Sequence, residues 1–183
     1  MDILTKSLRS TVFTLLLISL VVAAGSGITY ALNTSTQKQK VIAGAIYKFI
    51  KFIEWQDGSV RDSDSFNICL QQYDAAFEPF KTRKMQGKAI QIHLLNETAL
   101  AANCHVVYMN HDSDNHVDLL QTFKNKSIVT IASDKAFASQ GGIIELGNHN
   151  NRLSFAINQT VAKANQLNVG FQLLSLANDV ITN

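Results

Sequence analysis

CHVVYMNHDSDNHVDLLQTFKNKSIVTIAS, residues 104–133, decides the fold. The stretch opens on an apolar run through Val106, Val107, Tyr108 and Met109. A polar loop at 111–115 follows, then Val117, Leu119, Leu120 and Phe123 at helical spacing, with the helix ending near Lys126. It closes on a second apolar run, SIVTIAS (127–133). Short apolar runs rich in β-branched residues are strands buried on both faces, and a helix between two of them makes a parallel crossover. One such unit commits the chain to a layered α/β architecture.

The flanking segments extend the pattern. Upstream, FNICLQQ (66–72) is a strand, and KAIQIHLL (88–95) alternates in polarity as a strand near a sheet edge does. Between them, residues 75–83 read as a helix with Phe77 and Phe80 inward, shortened or broken by the single proline, Pro79. Residues 97–102 read as a helical turn. VIAGAIYKFIKFIEW (41–55) carries Ile42, Ala45, Ile46, Phe49, Phe52 and Ile53 on one helical stripe, with Lys48 and Lys51 opposite and Asp57-Gly58 as the stop. Downstream, a turn or short helix at 135–140 leads to Gly141-Gly142; GIIELGN and RLSFAIN then form a hairpin around residues 149–152. TVAKANQLNVGFQLLSLANDVI (160–181) reads as two helical stretches separated by Asn168-Val169-Gly170, with Phe171, Leu174, Leu176 and Ala177 in the second. The expectation is one three-layer α/β domain over 41–183: a mostly parallel mixed sheet, flanking helices, and a C-terminal hairpin and helices. In a doubly wound 2-1-3 order the first and third strands are neighbours.

The N-terminus sets the compartment. Lys6 and Arg9 precede an uncharged run from Thr11 to Ala24, then small residues, with Thr29-Tyr30-Ala31 as a cleavage site. This is the layout of a secretory signal peptide over 1–31, an uncleaved anchor being the alternative. Both place the remainder outside the cytoplasm. Polar residues 32–40 read as a flexible leader. The first 31 residues carry Lys6, Arg9 and Asp2, so the remainder keeps a net charge of +1, one less than the whole chain's +2. That balance gives no electrostatic case for nucleic acid. The two cysteines, Cys69 and Cys104, lie 35 residues apart, one in the first strand and one opening the third. In an oxidising compartment an even count favours a disulfide, and neighbouring strands bring Cα atoms within reach. Two buried thiols are the alternative.

Candidate chemistry is sparse. His111, Asp112, Asp114 and His116 have ligand chemistry for a divalent metal, yet a solvated loop with Asp114 or Asn115 as helix N-cap accounts for them with fewer demands. The chain contains no G-x-S-x-G, H-E-x-x-H, P-loop or C-x-x-C motif. Gly141-Gly142 suits a turn more readily than an anion loop. No catalytic residue, metal or cofactor is therefore expected. For binding, Glu54 and Trp55 stand out, because a Trp at a helix end either anchors a partner or caps the core. Arg152 and Asn158 flank the last strand; Arg152 would grip a carboxylate or phosphate, or pair with Glu145 across the hairpin.

Five landmarks in order resemble the YfiR family of bacterial periplasmic proteins: AIYKFIKFIEW, the Cys of FNICL, the Cys of CHVVYM, SIVTIASDKAFASQGGIIEL, and NRLSFAINQTVAKANQL. The resemblance spans about residues 41–180. It implies a non-enzymatic regulator that binds the periplasmic portion of an inner-membrane diguanylate cyclase, keeping cyclic-di-GMP and biofilm formation low. It further implies an outer-membrane lipoprotein that sequesters the regulator, a second copy of the chain as a further possible partner, and a functional form that is oxidised. The chain departs from the pattern in two places. The second cysteine pair of some members is absent, and Gln56 stands where a proline usually follows Glu-Trp. The reading of another class is a small-ligand module whose cleft, at the carboxyl ends of the strands, lies near Gly141, Arg152 and Asn158; a hydrolase built on the 111–116 loop is a third.

Overall fold

Residues 35–95, 103–110 and 116–182 are described by a computed structural model of the chain. The chain divides into two units, Met1–Lys40 and Val41–Asn183. The proposed export segment and the 97–102 and 111–115 segments lie outside the described residues. In the first unit, residues 35–40, read above as part of a flexible leader, are helical.

The second unit begins with helix α1 (residues 41–50), which buries Ile42, Ile46 and Phe49 and leaves Lys48 in solvent, as the stripe predicts, and buries Ile50 as well. The chain then runs through β1 (Ile53–Trp55), α2 (Ser59–Asp62) and β2 (Ser65–Leu70). A 3-10 helix (Ala75–Thr82) follows, then β3 (Lys84–Met85), β4 (Lys88–Leu94), β5 (Val106–Met109) and α3 (His116–Phe123). The rest comprises β6 (Val129–Ala132), β7 (Ile144–His149), β8 (Arg152–Asn158), α4 (Gln159–Ala164), β9 (Leu167–Val169), α5 (Phe171–Leu174) and β10 (Asp179–Ile181).

Eight strands form one sheet in the order β10-β8-β7-β6-β5-β2-β4-β3. β4, β2, β5, β6 and β7 run parallel; β7 and β8 form the antiparallel hairpin, and β10 lies parallel to β8. β2 thus sits between β4 and β5, the expected 2-1-3 arrangement. All residues of β5 and β6 are buried, which explains their continuous apolar runs. Side chains alternate between two cores. Phe66, Ile68 and Leu70 join α1, the 3-10 helix, β1 and β9 on one face. Cys69, Val107, Met109 and Ala132 join Leu120, Phe123 and Phe137 on the other. The predicted layers are the observed ones.

Five details differ from expectation. The helix read through residue 55 stops at residue 50, where Phe52 N donates to Phe49 O at 2.9 Å in a tight turn. Ile53-Glu54-Trp55 is then extended and pairs antiparallel with Leu167-Asn168-Val169, which was read as helix and helix break. Both triplets alternate buried, exposed, buried; at three residues this strand period hides inside a helical one. The segment around Pro79 is a 3-10 helix, capped by Asp74, whose carboxylate accepts from Ala76 N at 2.9 Å. Residues 179–181, read as the end of a helix, are the edge strand β10. The hairpin turn is two residues rather than four: Asn150 and Asn151 both take the left-handed conformation, φ 50° and 60°, which asparagine tolerates and a two-residue hairpin requires.

Candidate functional site

The cysteines provide the firmest geometry. Cys69 on β2 and Cys104 just before β5 form a disulfide with Cα atoms 5.9 Å apart. Cys69 lies opposite Val107 in the parallel register, and Cys104, in the irregular segment that enters β5, turns into the same core as both. Both cysteines are buried in the second core, under Leu120 and Phe123 of α3. The bond therefore ties the later part of β2 to the segment that enters β5, beneath a helix.

Trp55 is a core residue and not a surface anchor. It is 9% exposed, its Nε1 donates to Ser127 O at 2.8 Å, and its ring meets Phe66 edge-on. This fixes the β1–β9 ribbon against the start of β6. Its neighbour Glu54 points to solvent and accepts a hydrogen bond from Asn168 Nδ2 at 3.1 Å. Two aromatic residues stand exposed beside that ribbon. Phe52, just before β1, is 40% exposed, and Phe171, the first residue of α5, is 79% exposed. Gly170 N donates to Phe52 O at 2.7 Å, so the two leave the backbone at adjoining points. Exposed apolar side chains that leave the backbone at adjoining points differ from the singly scattered ones common on protein surfaces. Sequence periodicity assigned Phe171 and Leu176 to the apolar side of their helix; Leu173 is the buried residue there. The signal available was Gly170, which lets the chain turn tightly past Phe52: an added Cβ would lie 3.1 Å from Phe52 O.

Arg152 and Asn158 lie at opposite ends of the seven-residue β8, about 20 Å apart at the usual strand rise. Arg152 is exposed beside the hairpin turn, opposite His149. Glu145 instead faces Ala156 in register, and its Oε2 accepts from Ala138 N at 3.1 Å. Asn158 is buried and structural: its Nδ2 donates to Ala138 O at 2.8 Å, and its Oδ1 accepts from Val161 N as the N-cap of α4. The cleft expected near Gly141, Arg152 and Asn158 is therefore not assembled. A polar cleft of about 720 Å³ lies instead at the amino ends of β2, β5 and β6, bordered by Asp57, Asp64, Asn67, His105 and Lys126.

His105 forms part of that cleft's floor. It is buried, its Nδ1 accepts from Asn67 N at 2.9 Å, and it stacks on Phe66. Burial holds its pKa below the ordinary 6.5, against a smaller opposing pull from the Ser59 carbonyl. The imidazole is thus neutral, with Nδ1 unprotonated. Burial raises the Asp57 carboxyl, but hydrogen bonds from Ser127 and Ser59 outweigh it and leave the group below its usual range. At the other end of the sheet, Tyr108 is pushed upward by burial. His116, once a candidate metal ligand, bonds through Nδ1 to Asp134 and through Nε2 to Gln71 Oε1 at 3.2 Å. Among the described residues no cluster of three or more His, Cys, Asp or Glu could hold a metal. None of their helices is long and apolar enough to cross a membrane.

Three comparisons bear on this arrangement. No curated protein matches the sequence. Among solved structures, a conserved domain protein from Vibrio cholerae O1 biovar eltor superposes with a TM-score of 0.47 at 10% identity, covering 68% of this chain; this chain spans 57% of that one. A family model described as YfiR/HmsC-like matches residues 39–178.

Proposed function

The chain belongs to the YfiR/HmsC-like family, and from that premise we propose that it inhibits an inner-membrane diguanylate cyclase by binding the cyclase's periplasmic portion through the Phe52–Phe171 surface. Members of the family are periplasmic regulators of cyclic-di-GMP signalling. The proposal includes export by residues 1–31 and a role without catalysis. One observation carries the surface assignment: Phe171, 79% exposed, adjoins Phe52 beside the Glu54–Asn168 pair. Aromatic anchors at the centre of an interface, rimmed by polar groups, supply most of its binding energy. In this reading the Cys69–Cys104 bond keeps that surface presented, and an outer-membrane lipoprotein that sequesters the regulator relieves the restraint.

The test is recovery of membrane partners. Tagged wild-type protein and a Phe52→Ser/Phe171→Ser double variant are each used to capture detergent-solubilised inner-membrane proteins. The cyclase should copurify with the wild type and be lost from a variant whose melting temperature is unchanged. Equal recovery by both proteins contradicts the surface assignment; recovery of no cyclase by either contradicts the inhibitory reading.

A further inference from the structure

Between α3 and α4, on the face that holds the disulfide, lies a cavity of about 210 Å³ that the regulatory reading does not use. Its floor is Leu120 and Phe123, both buried, and Val161 forms one wall. Two buried polar groups face it. Thr130, 2% exposed, accepts Ile143 N–H at 3.0 Å through its hydroxyl. Among the described residues that hydroxyl donates its own proton to no group. Asn165, 5% exposed, accepts from Asn125 N at 3.1 Å through Oδ1, and among the described residues its Nδ2 donates to no group, being open to the cavity's solvent. Each group thus keeps a donor that the fold itself does not use. Lys124 stands at the rim, and no carboxylate borders the cavity. Its only formal charge is therefore positive.

From this combination we infer a binding site for a small monocarboxylate with an apolar body, of the size of benzoate or hexanoate. The carboxylate oxygens take the free donors of Thr130 and Asn165 and the charge of Lys124. The apolar body packs on Leu120, Phe123 and Val161. Charge-assisted bonds of this kind are about twice as strong as neutral ones, and an apolar wall with a few convergent donors is the usual composition of a small-ligand site. Leu120 and Phe123 also cover Cys69 and Cys104, so an occupant would brace the helix that shields the bond. The site stands independently of the cyclase reading.

Benzoate tests it on the oxidised protein, with benzyl alcohol and benzylamine as neutral and cationic controls of the same shape. Amide shifts in an NMR titration should move at residues 120–125 and 161–165 with benzoate, and far less with either control. Lys124→Gln, an exposed change that leaves the core intact, should weaken benzoate about tenfold. Val161→Phe, which fills the cavity, should abolish the shifts while the protein still melts cooperatively. Absence of benzoate shifts at tens of millimolar, equal response to benzylamine, or unchanged binding by both variants would each overturn the assignment.

Discussion

Gly142 sets a tight limit at the scale of single residues. A Cβ there would sit 2.1 Å from the Phe137 ring, which is buried in the core beside the disulfide. Gly142→Ala should therefore cost about 1–3 kcal/mol, typical of overpacking; denaturant unfolding should show the loss, and an unchanged midpoint would refute the contact. The pair Gly141-Gly142 was legible as a turn, but not the reason for its second member, because Phe137 precedes it by five residues with no periodic signal. His105 gives a second residue-scale expectation. Its folded pKa lies below 6.5, so between the two values the unfolded chain binds the extra proton and the folded one does not. Its contribution to stability is then complete above about pH 6.5 and declines as pH falls through and below that value. Urea unfolding at pH 7.5 and 5.5 should show a smaller difference for His105→Phe than for the wild type; equal differences would remove the effect.

Elements show where sequence reading succeeds and where it stops. β5 and β6 were legible because parallel strands covered on both faces have to be continuously apolar. The hairpin was legible from its two flanking runs. β1, β9 and β10 were not, since three residues are too few for alternation to emerge against a helical background. That failure bore directly on the site. The β1–β9 ribbon turns Trp55 inward, one of the two roles its sequence left open, and leaves outward Phe52 and Phe171, which periodicity assigned to apolar helix faces. The disulfide was readable for a topological reason: the 2-1-3 order makes β2 and β5 neighbours. Closing a loop of 35 residues stabilises by about 3–4 kcal/mol on a chain-entropy estimate. Cys69→Ser should accordingly lower the melting temperature by on the order of 10 °C, and reductant should do the same to the wild type. A melting curve indifferent to both would show that the bond adds nothing to stability.

Considered as a whole molecule, the chain has its two cores on opposite faces of one sheet, and they serve different ends. The larger supports the ribbon and the exposed aromatics; the smaller encloses the disulfide and borders the monocarboxylate site. The near-neutral charge and the two exposed phenylalanines suit docking by apolar contact more than by long-range attraction. The claim that most depends on this arrangement is restraint of a cyclase through Phe52 and Phe171. Its direct measure is cellular cyclic-di-GMP in a strain lacking the gene, complemented either by the wild type or by Phe52→Ser/Phe171→Ser at equal protein level. The wild type should return cyclic-di-GMP to its low value and the double variant should leave it raised. Full restoration by the variant, or a level that deletion never raised, would contradict the account.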